Sequence, residues 1–188
     1  MTTSATSWRF GNAAGGARGA SLLEVLIAIV IMSFGLLAMG GMTASSIQYG
    51  KMAQFQTVGV QLASDFADRM RANTDGFSGN SYNKTAVYSS VTAVITLPTC
   101  SVATKCTGQE LAAVDTAEWR NSLRTGLPGG DAYVLRDVDN PLAVDIWVMW
   151  IDPGINSTLV TSGSSSCPAA ALTAGSTVPH CLYFRAAI

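Results

Sequence analysis

From Val25 to Gly50 the chain carries no charged side chain. Its most apolar part, Val25 to Met42, is built mainly of large aliphatic residues. A helix of roughly 20 residues, rising ~1.5 Å per residue, crosses the ~30 Å hydrocarbon core of a bilayer. The run is therefore long enough to span a membrane. The competing reading is a buried core helix, but core helices seldom stay uncharged over such a length. Gly35, Gly40 and Gly41 lower helix propensity within it, and in lipid they allow close helix–helix approach or local unwinding.

Residues 1–19 contain two charged side chains, Arg9 and Arg18, and both precede the apolar run. The positive-inside rule then places the N-terminus in the cytoplasm and the rest of the chain across the membrane. A secretory signal has its apolar core first and its cleavage site after it. Here the order is reversed: a processing glycine, Gly19, comes before the core. A cut between Gly19 and Ala20 would leave the apolar helix on the mature protein.

The helical pattern continues beyond the apolar run. Met52, Phe55, Val58, Leu62, Phe66 and Met70 recur at steps of three or four and form one stripe of an amphipathic helix. Lys51, Asp65, Asp68 and Arg69 fall on other faces. The stretch Asn73-Thr74-Asp75-Gly76 offers its terminators. Phe77 to Lys84 reads as a polar loop, and Val87 to Leu97 as a strand.

Thr107-Gly108-Gln109-Glu110 is a capping-box pattern opening a short helix to about Arg124, with Leu111, Trp119 and Leu123 on its apolar face. Leu127-Pro128-Gly129-Gly130 stops it. Strands follow at 132–138 and 143–151, with Asp139-Asn140-Pro141 as the turn between them. The second strand is apolar on both faces, which suits a central position covered on one side by a helix. Asn156 to Thr177 is rich in Ser, Thr, Ala and Gly and reads as a loop; a last strand covers 181–188. The expected fold class is α+β. A long N-terminal helix, half membrane-embedded and half amphipathic, packs on a small antiparallel sheet with one short helix. Three segments follow: a leader over 1–19, a transmembrane and assembly helix over 20–48, and a periplasmic part over 49–188.

The segment Arg18-Gly19-Ala20-Ser21-Leu22-Leu23-Glu24 with the run behind it resembles the class III signal of type IV pilins and type II secretion pseudopilins. In that family a basic residue and Gly precede the cut, Glu is fifth after it, and an apolar helix follows. Gly19, Glu24 and the helix match position by position; Ala20 replaces the usual phenylalanine. The segment Gln109 to Leu123, with Asp115 and Trp119, followed by Leu127-Pro128-Gly129-Gly130, is similar to the PilV-type minor pilins, the type IV pilus modification proteins. That similarity disfavours the runner-up, a minor pseudopilin of type II secretion. A competitor from another class is a signal-anchored periplasmic enzyme or binding protein.

The resemblance implies cleavage after Gly19 by a prepilin peptidase and N-methylation at Ala20. It also implies a pilin-like fold, and assembly with other minor and major pilins at an inner-membrane platform and in the pilus. Physical chemistry singles out Glu24 as well. A carboxylate in a first helical turn is favoured by the helix dipole, yet at the edge of lipid or in a bundle it is costly unless paired. Cleavage creates a cationic amine at Ala20, so one chain's Glu24 could pair with its neighbour's N-terminus.

Competing chemistry has little material. A formal net charge of -1 argues against a nucleic-acid footprint. With one histidine and no nucleophile or phosphate-binding motif, the chain is expected to have no catalytic site, metal or cofactor. Asp137, Asp139 and Asn140 are a conceivable calcium set, although turns also want such residues. The four cysteines lack zinc-type spacing. Pairing Cys100 with Cys106 and Cys167 with Cys181 closes two short loops, though three pairings are possible. Pilins commonly carry a C-terminal disulfide loop of similar size.

Overall fold

A computed structural model of the protein describes residue 19 and residues 21–101, 105–151, 167–173 and 178–188. The order is a helix α1 (Leu22–Ala72), a short helix α2 (Thr74–Ser78) and a helix α3 (Gly108–Gly126). Strands β1 (Asp131–Arg136) and β2 (Ala143–Trp150) follow, then a 3-10 turn (Ala169–Ala171) and β3 (His180–Ala187). The chain divides into two units, Met1–Ser45 and Ser46–Ile188.

In the first unit, α1 begins at Leu22 and remains helical through Gly35, Gly40 and Gly41. Each described residue of that unit is exposed. The second unit holds the core. Its part of α1 buries Gly59, Ala63, Phe66, Ala67 and Met70, with Phe55, Val58 and Leu62 packed beside them. The amphipathic stripe is thus the one expected, widened by small residues. Full burial of each large side chain contributes about 1.5–3 kcal/mol.

The sheet has the order β1-β2-β3, antiparallel throughout. The central strand is β2, as its two apolar faces predict. Val144, Ile146, Val148 and Trp150 join the main core with α1 and α3, while Met149 faces a smaller cluster with Tyr133, Ala171 and Cys181. The turn after β1 is an Asx turn. Asp137 Oδ1 accepts from the N–H groups of Asp139 (2.8 Å) and Asn140 (3.2 Å), and Asp137 Oδ2 pairs with Arg185. Both carboxylate oxygens are therefore engaged, and the calcium set is a turn instead.

The long helix ends at Ala72, at the terminators expected, and Asn73 has a further role: its Oδ1 accepts from the Gly76 N–H at 3.1 Å and caps α2, whose last two residues, Phe77 and Ser78, fall in the expected loop. One expectation is corrected. The segment 87–97 is not a strand. Those of its backbone groups that are bonded go to side chains and, at Tyr88, to the Ala171 carbonyl (2.8 Å), rather than to a ladder. Asn121 donates to Ile95 O (2.9 Å) and accepts from Ile95 N–H (2.8 Å), and Arg124 donates to Ala93 O. Lys84 forms an isolated bridge to β1, at Val134.

Candidate assembly interface

The first described turn of α1 is built by Ser21. Its Oγ accepts the Glu24 N–H at 3.2 Å, and its carbonyl accepts from Glu24 (2.9 Å) and Val25 (3.2 Å). Ser21 thereby satisfies N–H groups that a helix start leaves orphaned. Glu24 is exposed, and among the described residues no cation pairs with its carboxylate. Gly19 is exposed; Arg18 and Ala20 lie outside the described residues.

Behind Glu24 the apolar side chains stand open, including Ile27, Met32, Phe34, Leu37 and Met39. Over one window of 18 residues α1 is long and apolar enough to cross a membrane, and nothing within that window is buried. Its few polar side chains are closed on the helix itself. The hydroxyls of Ser33 and Thr43 donate to the carbonyls of Ile29 (2.7 Å) and Met39 (2.8 Å). Such bonds satisfy a polar group where no water is available. An exposed surface of this size on one helix must be covered by lipid, by other helices, or by both in turn.

The second unit is fixed by contacts that the sequence signals only in part. Trp119 is fully buried, stacks on Phe66 with ring centroids 3.8 Å apart, and donates through Nε1 to Leu62 O at 2.8 Å. The capping box is complete: Thr107 Oγ1 accepts from the Glu110 N–H, and Glu110 accepts from the Thr107 N–H at 2.8 Å. Hydrogen bonds from Ser101, then from Thr107, lower the Glu110 pKa to about 2. After α3, Gly129 takes φ +59°, and a Cβ on Gly130 would meet Leu123 O at 2.2 Å. The paired glycines are thus needed for one backbone conformation and one close approach.

Two polar clusters escape sequence reading. Arg69 reaches Asp65 (3.0 Å), Glu118 (2.9 Å) and Asp115 (3.4 Å), and Tyr82 donates to Asp115 at 2.6 Å. Only the Asp65–Arg69 spacing of four signals any of this. Buried Lys84 pairs with buried Asp131 at 3.0 Å; burial lowers the lysine pKa and Asp131 opposes that shift. Tyr88 nearby is pushed up to about 12 by burial and then by Asp131.

Disulfides join Cys100 to Cys106 and Cys167 to Cys181. The second ties the 3-10 turn to β3 against Tyr133 and Met149. Among the described residues, no group of three or more His, Cys, Asp or Glu side chains is placed to hold a metal.

Fold and surface together define an α+β protein whose leading helix is an exposed apolar element. Residues 42–117 match the family model described as Tt1218-like, Type IV pilin Tt1218. The match takes in the buried stripe of α1, all of α2 and the first part of α3, and it supports a type IV pilin relationship. No curated protein and no solved structure matches the chain.

Proposed function

We propose that this chain is a minor pilin of the PilV type, taking part in the assembly or priming of a type IV pilus. It is made with a leader over 1–19 and inserted in the inner membrane with its N-terminus cytoplasmic. A prepilin peptidase cuts between Gly19 and Ala20, and Ala20 is then N-methylated. The assembly platform packs the exposed helix against those of other minor and major pilins. Glu24 of one subunit meets the α-amine of a neighbour's Ala20, which fixes the axial register of the stack.

The observation that carries the reading is Glu24: an exposed carboxylate without a described counter-ion, at the head of an exposed apolar helix. In a helical bundle that charge needs a partner, and removing water from it unpaired costs several kcal/mol. The type IV pilin match over 42–117 supports the same conclusion. The test is Glu24→Leu in a strain whose sheared surface filaments can be probed for the subunit. The variant should accumulate in the membrane at the normal level and be lost from the filament fraction. Incorporation at the normal level contradicts the reading. A deletion strain scored for surface pili and for secreted enzymes separates a pilus from a secretion filament.

A further inference from the structure

Between α2 and α3 the chain runs from Thr85 to Cys100 without a turn or bend. One edge of this segment is held. Ala93 O accepts from Arg124, and Ile95 spends both backbone groups on the Asn121 amide. Along an extended chain, backbone groups two residues apart share an edge, and those of the residues between face the opposite way. The N–H and C=O groups of Thr92, Val94 and Thr96 therefore line the edge turned away from α3. Among the described residues nothing bonds to them.

This edge lacks the usual guards. Natural sheet edges are protected by charged side chains, by proline or by a covering element. No charged residue occurs from Thr85 to Thr104, and the proline of that stretch, Pro98, comes after Leu97. Val91, Val94 and Leu97 are 52%, 81% and 45% exposed, and Thr92 and Thr96 are exposed as well. Residues 91–97 thus combine β-branched side chains, apolar surface and unspent backbone groups.

The order of residues says what fits such an edge. Outwards from Val94 the segment nearly mirrors itself: Ala93 answers Ile95, Thr92 answers Thr96, and Val91 answers Leu97. A two-fold axis at Val94 sets two copies antiparallel, with each residue opposite one of its own kind. Thr92 then faces Thr96, a favourable cross-strand pair, and Val91 faces Leu97. The unspent groups fall where they are needed: Thr92–Thr96, Val94–Val94 and Thr96–Thr92 become the hydrogen-bonded pairs, about six backbone bonds in all. Like meets like across a two-fold axis, so a charged segment would repel itself; this one is uncharged. We propose that two copies of this chain pair through residues 91–97, antiparallel and in register about Val94. The contact lies in the second unit, uses no part of the leading helix and does not depend on a filament.

The test is disulfide trapping of the full chain in detergent micelles, with both native disulfides intact. Val94→Cys should cross-link to its own copy under mild oxidation. Thr92→Cys and Thr96→Cys should each stay monomeric alone and cross-link when the two variants are mixed. In the proposed register Thr92 stands opposite Thr96, while its own copy is about 14 Å away, beyond the ~7 Å Cα limit of a disulfide. That pattern separates pairing at the edge from association through the leading helix, which sets no such register. Adding Val94→Lys to both threonine variants should abolish the mixed cross-link by placing like charges opposite each other. All three positions are exposed, so each variant should unfold in urea as wild type does. Three results would overturn the proposal. The first is no cross-link at Val94→Cys, as expected of an edge that receives a strand from a different protein. The second is cross-linking of Thr92→Cys or Thr96→Cys alone as strongly as in the mixture. The third is a mixed cross-link that survives Val94→Lys.

Discussion

Residues 22–45 and 46–72 of α1 share a secondary structure and differ in what surrounds it. The earlier stretch is apolar on all sides and buries none of its side chains. The later stretch is amphipathic and buries a stripe against the sheet and α3. Helical geometry therefore says little about where stability comes from. In the later stretch it comes from packing within the chain, and in the earlier stretch it must come from molecules outside it. Substitutions should accordingly separate into two classes: those that unfold the second unit, and those that leave it intact and act on membrane or assembly.

The largest effects belong in the second unit. Trp119→Ala removes a fully buried indole, its stack on Phe66 and its bond to Leu62, and should cost about 3–5 kcal/mol in urea unfolding of the full chain in micelles. Asp131→Asn leaves a buried Lys84 without its counter-charge and should cost a similar ~3–5 kcal/mol, while an apolar pair at both positions should cost much less. A chain unfolding as readily as wild type after either change would break the comparison.

Gly130→Ala forces a Cβ onto Leu123 O and should destabilise the unit by about 1–3 kcal/mol, whereas Gly129→Ala meets the positive φ and side-chain contacts at Tyr88 Oη (3.1 Å) and Ser90 Cβ (3.3 Å) that can give way, and should lose about 1 kcal/mol. The pH response sharpens the picture further. Glu110 has its pKa lowered from 4.5 to about 2. Because the folded value is the lower one, its contribution is complete above pH 4.5 and disappears as pH falls towards 2. Glu110→Gln should flatten the loss of melting temperature in that window, and an unchanged pH profile would remove the capping box from the account. The smallest effect belongs to the exposed stretch: Leu36→Ala should change urea unfolding of the second unit by less than about 0.5 kcal/mol.

The two regions were also legible to different degrees. Periodicity revealed the buried stripe of α1, because a face that packs must repeat with the helix. Local patterns revealed the capping box, the glycine stop and the Asx turn, because each is closed within a few residues. The 87–97 segment misled for a physical reason. Its β-branched residues satisfy strand propensity, but its backbone bonds go to Asn121 and Arg124, roughly thirty residues away in sequence. Arg69, Asp115 and Tyr82 come together across three elements, and so do Lys84, Asp131 and Arg120. Nothing in their spacing predicts those meetings. Glu24 is the reverse case, since the sequence singles it out by its position alone. The structure adds that it is exposed and that no described cation answers it.

The central claim is that the exposed helix is kept on the mature protein and begins at a processed Ala20. Intact-mass and N-terminal peptide spectrometry of the subunit purified from membranes tests this most directly. The account predicts a chain starting at Ala20, carrying one N-methyl group and the whole apolar helix. An intact Met1, or a chain beginning beyond Met42, would contradict it.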